Sequence, residues 1–159
     1  MCSPPGKLAL VFLMSLLPVL EGRYAVLAGI AMGLSLWCSA LASALGVIVL
    51  SILLPLALPL ADRAAAWLAG RGAPLVSRLA RAYLEYSGRA RRRAEKYVDK
   101  YGLPGLVLFV AIPLPATGIW TGAIGAHLLG LSRGKMSLGL LAGGLLSLAI
   151  TALAGGAAS

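Results

Sequence analysis

Residues 17–33 of the chain read LPVLEGRYAVLAGIAMG, and they place Glu21 and Arg23 between two runs, 8–20 and 24–61, that carry no charge. At a rise of 1.5 Å per residue, a helix over the first run reaches about 20 Å, which is shorter than a hydrocarbon core of about 30 Å. The second run would reach about 57 Å as a single helix. The first run therefore cannot cross a membrane alone, and the second must be divided.

A hairpin followed by one full span fits these two lengths. We predict that residues 8–36 enter the membrane as a helix, turn, and come back, and that 37–60 form a spanning helix. Pro18 and Gly22 lie at the turn, where proline and glycine interrupt a helix.

The composition is that of an integral membrane protein. Of the 159 residues, 60% are hydrophobic and only 12% are charged, and the mean hydropathy of +0.92 is far above that of soluble domains. The apolar runs are continuous stretches of Leu, Ala, Gly and Val, without the two-residue alternation typical of barrel strands. We therefore expect membrane helices.

The second half of the chain repeats the plan of the first. It has an apolar limb over 103–112, a helix-breaking tip PLPATG over 113–118, a return limb over 119–131 and a span over 136–158. A shift of 97 positions places Pro18, Ala25, Gly29, Gly33, Leu34 and Ser35 on Pro115, Gly122, Ala126, Gly130, Leu131 and Ser132. The match includes a proline at each tip, which favours an internal repeat.

The fold class that follows is an all-α integral membrane protein, a single membrane domain over 1–159. We predict two inverted repeats, 8–60 and 102–159, each a re-entrant helical hairpin plus one transmembrane helix. A basic amphipathic connector over 62–101 joins them. Four ordinary spans are the alternative.

Most of the positive charge lies in two segments. Ten of the 14 Lys and Arg residues lie between Arg63 and Lys100, and two more are Arg133 and Lys135. By the positive-inside rule both segments should face the cytoplasm. The hairpin arrangement places them on one side, whereas four ordinary spans would not. We therefore expect a multi-pass protein of the cell membrane with its connector, 62–100, in the cytoplasm.

The connector is amphipathic over 75–101. Apolar and tyrosine side chains recur at three- and four-residue steps, and basic residues fill much of the rest. We predict a helix on the inner leaflet that holds anionic lipid headgroups through Arg89, Arg91, Arg92 and Arg93. A solvated cytoplasmic helix is the alternative. We expect no nucleic-acid partner, because the basic residues lie between membrane segments and include no base-reading module.

Glu21 and Arg23 are candidates for a polar site at the membrane midplane. A charged side chain there costs about 2.5–3.5 kcal/mol, so it needs a partner or a function. The second tip offers both hydroxyls and helix amides that favour negative charge. The candidate substrate- or proton-binding residues are Glu21, Arg23, Thr117, Gly118, Trp120 and Thr121, and the hairpin tips are Pro18, Gly22, Pro113 and Pro115. The alternatives are an ordinary membrane interface for the charges and simple packing for the Thr and Trp side chains.

No enzyme motif accompanies these residues. The single histidine, His127, excludes an H-E-x-x-H zinc site, and no G-x-S-x-G is present. The fragment GLSRGKM lacks the spacing of a phosphate-binding P-loop. We therefore expect no catalytic residue, no metal and no cofactor.

The segments LPVLEGRYAV and FVAIPLPATGIWTGAIGAHLLGL resemble the two signature stretches of the small multidrug export proteins, a family similar in architecture to the DedA (VTT-domain) membrane proteins. The resemblance covers nearly the whole chain. It implies two opposed re-entrant hairpins, an acidic residue at Glu21 and a transport role. In the second hairpin, the arginines expected of DedA proteins are replaced by a pattern of Pro113, Pro115, Thr117 and Trp120.

The function expected from these features is that of a small transporter. It would move a small amphiphile or a lipid headgroup, as a drug exporter or a DedA-like lipid flippase, through a midplane site formed by the two hairpins. Glu21 would accept a proton if transport is proton-coupled, and Arg23 would pair with it or bind the headgroup. A non-transporting membrane scaffold or interaction protein is the alternative, and a homo-oligomer is left open.

Overall fold

In the computed structural model, which describes residues 5–18, 20–71, 74–112 and 117–156, all regular secondary structure is helical. The helices are α1 (Pro5–Leu16), α2 (Glu21–Ala31), α3 (Leu36–Arg71), α4 (Pro74–Ala111), α5 (Ile119–Leu128) and α6 (Arg133–Gly156). The prediction of an all-α fold is confirmed.

Two of these helices are long and apolar enough to cross a membrane, by length and composition. They are Leu36–Leu68 within α3 and Arg133–Gly155 within α6. In contrast, α1, α2 and α5 have 12, 11 and 10 residues, which gives lengths of only about 15–18 Å. These three helices are the short limbs that the lengths of the apolar runs indicated.

Helix α3 continues beyond the expected end of the first span. It runs to Arg71 and contains Pro55 and Pro59, whereas the apolar run had suggested an end at residue 60. Three consecutive alanines at 64–66 have high helix propensity, so the helix continues through the first charges that follow the apolar run. As a result Asp62 lies on α3.

Helix α4 is made of two helical pieces, 74–101 and 103–111. Gly102 separates them with φ 58° and ψ −125°, a conformation that glycine adopts readily because it has no Cβ. Pro104 follows within the first turn of the second piece, where its missing N–H has no helical partner to lose. The long helix that carries the amphipathic connector is therefore interrupted at Gly102.

The backbone repeats at the same offset as the sequence. Helices α2 and α5 are each followed, two residues after their end, by a glycine with positive φ: Gly33 (φ 80°) and Gly130 (φ 79°), which are 97 positions apart. The bond from Leu34 N to Gly29 O and its counterpart from Leu131 N to Ala126 O are both 3.0 Å long. These bonds are the long-range bonds of two Schellman caps. The same 97 positions separate the first residues of α3 and α6.

The first turns of α2 and α5 pack against neighbouring positions on α3 and α6. Gly22 in α2 faces Val47 of α3, and Ile119 in α5 faces Gly144 of α6. Val47 also contacts Gly144, and a Cβ at position 144 would lie 2.7 Å from it. Around this point lies the main core cluster, which includes Leu50, Leu106, Phe109, Met136 and Leu140.

The C-terminal parts of α2 and α5 contact different parts of the chain. Lys7 Nζ donates to Met32 O (2.7 Å), so the end of α2 lies beside the start of α1. Leu27 of α2 packs against Gly155 near the end of α6. Helix α5 ends beside α3, where the ring of His127 contacts Asp62.

Candidate functional site

Glu21 and Arg23 form a buried ion pair. Arg23 Nη2 lies 3.1 Å from Glu21 Oε2, and each residue is only 6% exposed. Two residues apart, they would not face each other on a regular helix. Glu21 has φ 43°, outside the right-handed helical region, so its side chain departs from helical spacing. A backbone conformation that is costly for glutamate thus accompanies the pair.

The carboxylate of Glu21 also reaches the first turn of α5. Trp120 N–H donates to Glu21 Oε1 over 3.4 Å. The unpaired amides and the positive end of the helix dipole stabilise a negative charge at this position. Gly118 makes the approach possible, because a Cβ there would collide with both Glu21 oxygens and with Arg23 Nη2.

Two side chains donate to helix-end carbonyls of the other half of the chain. Arg23 Nη1 donates to the carbonyl of Ile112 just after α4 (3.3 Å), and Trp120 Nε1 donates to the carbonyl of Leu16, the last residue of α1 (3.2 Å). Arg23 and Trp120 are themselves 97 positions apart. Thr117 Oγ1 donates to the same Ile112 carbonyl (2.7 Å). Carbonyls at helix ends lack helical partners, so these bonds satisfy them inside the bundle.

Five of the six predicted binding residues therefore lie together, and we call this group the tip site: Glu21, Arg23, Thr117, Gly118 and Trp120. The sixth, Thr121, is buried, and its hydroxyl is 3.2 Å from that of Tyr86 on α4. Of the predicted tip residues, Gly22 packs on Val47 and Pro18 borders a cavity described below. Pro113 and Pro115 lie outside the described residues.

A second polar group lies at the other end of α5, and the sequence analysis did not identify it. His127 Nε2 is 2.9 Å from Asp62 Oδ2, and Tyr83 Oη donates to Asp62 Oδ1 (2.8 Å). We call Asp62, Tyr83 and His127 the inner cluster. Burial and then the hydrogen bond to Asp62 raise the pKa of Tyr83 to about 12, so its hydroxyl stays protonated and donates. The one available signal was that Asp62 and His127 interrupt long uncharged stretches.

An apolar cavity of about 340 Å³ lies between the two polar groups. Pro18 and Trp120 border it near the tip site, and Tyr83 and Ala61 border it near the inner cluster. Its remaining walls are Leu53, Leu54, Ala57 and Leu58 of α3, Tyr86 of α4 and Ile124 of α5. In size it falls within the range of small-molecule sites, although at the lower end.

The arginines predicted to bind headgroups are all exposed on α4: Arg89, Arg91, Arg92 and Arg93. Arg89 makes an exposed ion pair with Glu85, with Nη2 and Oε2 3.4 Å apart. Another face of α4 packs inside the protein, since Ala90, Ala94 and Val98 belong to the main core cluster. Within the described residues, no three His, Cys, Asp or Glu side chains are close enough to hold a metal ion.

Comparisons with known proteins identify a family. A search of curated proteins gives no match, and a search of solved structures gives none either. The family model described as "Putative small multi-drug export protein" matches residues 21–150. That range includes Glu21, Arg23 and the whole second half of the tip site. The chain therefore belongs to the small multi-drug export protein family.

Proposed function

We propose that this protein is a small membrane transporter that moves a small amphiphile or a lipid headgroup across the bilayer, as its membership of an export family suggests. The observation that carries the proposal is the tip site. A buried carboxylate and a buried guanidinium are each bonded across to the other half of the chain. Transporters built from two repeats place their binding site at such a junction, where movement of one half against the other exposes it alternately.

The proposed architecture has two re-entrant hairpins, α1 with α2 and residues 103–111 with α5, inverted relative to each other. The contacts of helix α6 support this proposed architecture. Leu27 of α2 packs against Gly155 near the C-terminal end of α6, whereas α5 leads through residues 129–132 into its first turn. Because α6 has 24 residues, its ends are about 36 Å apart. The hairpins would then open on opposite sides of a membrane, with their tips together near Gly144.

This topology predicts opposite labelling of two residues that are 97 positions apart, Ser35 and Ser132, both of which are exposed. Single cysteines are introduced at these positions and at Ala82 of α4, in a background where Cys2 and Cys38 are replaced by serine. In intact cells an impermeant thiol reagent should label position 35 and leave 82 and 132 unlabelled until the cells are lysed. Labelling of position 132 from outside would contradict the inverted hairpins and favour four ordinary spans.

Proton coupling, if present, has a physical basis at the tip site. A proton on Glu21 would neutralise the charge that balances Arg23, and it would weaken the contact of the carboxylate with the start of α5. The two tips would then be held less firmly, and Arg23 could present its guanidinium to a substrate headgroup. Glu21 is in this proposal the proton acceptor, and Arg23 is its partner.

The exposed arginines of α4 suit a second role, in binding the inner leaflet. Arg89, Arg91, Arg92 and Arg93 are all exposed to solvent and lie outside the core cluster. Basic residues near an anionic surface each contribute about 1 kcal/mol of binding. We propose that they hold α4 against anionic lipid headgroups.

A transport assay with Glu21→Gln tests the function. Wild-type proteoliposomes are loaded with cationic, neutral or anionic fluorescent amphiphiles, and their movement is followed at several pH values. We expect the wild type to move one class faster than protein-free liposomes do, and Glu21→Gln to lower that rate about tenfold or more, which corresponds to about 1.4 kcal/mol. Transport by Glu21→Gln with an unchanged pH dependence would exclude Glu21 as the proton acceptor.

The contacts of Glu21 and Arg23 would also suit a purely structural role, because they join the two halves of the chain. These contacts are therefore also a reason to consider the alternative function, a non-transporting membrane scaffold. Wild-type liposomes that move none of the three amphiphile classes faster than empty liposomes would favour the scaffold.

A further inference from the structure

The first turns of α4 carry a groove that the proposed function does not use. Its described lining follows one side of the helix at steps of three and four residues: Pro74, Ser77, Arg78, Arg81, Ala82 and Glu85. The volume of the groove is about 780 Å³, which is within the size range of small-molecule sites. From Pro74 to Glu85 it extends about 16 Å along the helix. We call it the basic groove.

The basic groove has positive charge that the neighbouring carboxylate does not balance. Glu85, the one acid on its described lining, pairs with Arg89 further along α4 at a distance of 3.4 Å. In the described structure Arg78 and Arg81 form no ion pair, and both are exposed. Because residues three apart are neighbours on a helix surface, the two guanidinium groups present a double positive charge to a ligand in the groove.

The guanidinium of Arg81 is held in place on the wall of the groove. Its Nε donates to the carbonyl oxygen of Ser77 (3.3 Å), and its Nη2 donates to the Ser77 hydroxyl (3.2 Å). Ser77 is only 8% exposed, and its hydroxyl donates in turn to the carbonyl of Pro74 (3.1 Å). These neutral acceptors fix the guanidinium without neutralising it, and it keeps further N–H donors for a ligand. Such donors match the geometry of phosphate oxygens.

An exposed apolar strip runs beside the groove on the same turns of α4. Leu75 is 69% exposed, Leu79 is 64% exposed and Tyr86 is 40% exposed, and steps of four and seven residues place them on one side of the helix. Helix α4 begins three residues after α3, whose apolar segment ends at Leu68, and Trp67 there is 59% exposed. Apolar, basic and aromatic side chains in this combination are typical of the membrane–water interface.

We propose that the basic groove binds one anionic phospholipid, with the headgroup phosphate on Arg78 and Arg81 and the acyl chains along Leu75 and Leu79. A soluble phosphate would leave the leucines in water, whereas a lipid covers them. The site is separate from the exposed arginines at 89–93. The bound lipid holds the start of α4 at the membrane surface, and this role does not depend on transport.

Native mass spectrometry of the full chain in detergent tests this proposal, because it counts bound lipids and gives their affinities. The probes are dioctanoyl phosphatidylglycerol and dioctanoyl phosphatidylcholine, which share their acyl chains but differ in headgroup charge. We expect one molecule of the anionic lipid to bind about tenfold or more tightly than the zwitterionic lipid, because two basic residues contribute to its binding. Glycerol phosphate, which lacks the acyl chains, should not displace the anionic lipid at the same concentration.

Two double variants locate the site. Arg78→Gln/Arg81→Gln should weaken binding of the anionic lipid about tenfold or more, to the level of the zwitterionic lipid. Lys96→Gln/Lys100→Gln is the matched control, because it removes the same charge from exposed positions of the same helix. It should change the affinity by less than about threefold, since solvent screens charges that lie far from the ligand.

Equal affinity of the wild type for the two lipids would overturn the proposal, and this comparison does not depend on whether a variant folds. An equal loss of affinity in both double variants would also overturn it, because the cause would then be net charge rather than the groove. A preference for the anionic lipid that survives in Arg78→Gln/Arg81→Gln would place the lipid elsewhere. Binding of glycerol phosphate as tight as that of the anionic lipid would assign the groove to a soluble phosphate instead. Lipid binding in detergent is measured without transport, so the failure of either proposal leaves the other standing.

Discussion

Arg23→Gln should destabilise the protein by about 3–5 kcal/mol, because it leaves the buried Glu21 carboxylate without its cation. Glu21→Gln should cost less, since the glutamine oxygen can still accept from Trp120 N–H and from Arg23. The double variant should be milder than the sum of the two, because it leaves no uncompensated charge. The measurement is the free energy of unfolding by SDS in mixed micelles for the four members of the cycle.

The exposed pair of Glu85 and Arg89 provides the control. Its atoms are a similar distance apart, 3.4 Å, but the side chains of Glu85 and Arg89 are 73% and 65% exposed. Solvent screens such a pair, so Arg89→Gln should cost no more than about 0.5 kcal/mol. If the losses for Glu21 and Arg23 were strictly additive, the two residues would not act as a pair.

The sequence predicts the helices of this fold well because its signals are local. The lengths of the apolar runs indicated limbs too short to span, and α1 and α2 are such helices. The shift of 97 positions predicted corresponding turns, and Gly33 and Gly130 have the same backbone conformation. Helix α3 extends further than expected because the alanines at 64–66 have high helix propensity and continue the helix past the end of the apolar run. Whether the hairpins are re-entrant in a membrane stays a prediction.

The tip site could be predicted from the sequence, whereas the inner cluster could not. A charged side chain inside a membrane costs free energy, so two charges within an apolar run are enough to mark Glu21 and Arg23 as candidate functional residues. The sequence also indicated that the second tip would supply their partners, and the structure brings Trp120 N–H to Glu21. In contrast, Asp62 and His127 are 65 positions apart, and no repeat or motif relates them. Only the packing of α5 against α3 brings them together.

Gly118→Ala should strongly destabilise the protein, because the new Cβ would clash with the buried ion pair. The φ of Gly118 is 177°, an extended conformation that any residue adopts. The loss of stability would therefore come only from the steric clash of the new Cβ. A Cβ would overlap both oxygens of Glu21 and Nη2 of Arg23. The ion pair would have to separate or the first turn of α5 would have to move, and either change breaks buried polar contacts. We expect a loss of about 3 kcal/mol or more in the same unfolding assay.

Gly88→Ala is the matched control, because it makes the same substitution in α4 with nothing within 4 Å of the new Cβ. Alanine is the better helix former, so this variant should be more stable by about 0.5–1 kcal/mol. If Gly118→Ala lowers the free energy of unfolding and Gly88→Ala raises it, then contact with the ion pair, rather than the loss of a glycine, causes the destabilisation. Equal stability of Gly118→Ala and the wild type would mean that the Glu21 carboxylate does not lie against the start of α5.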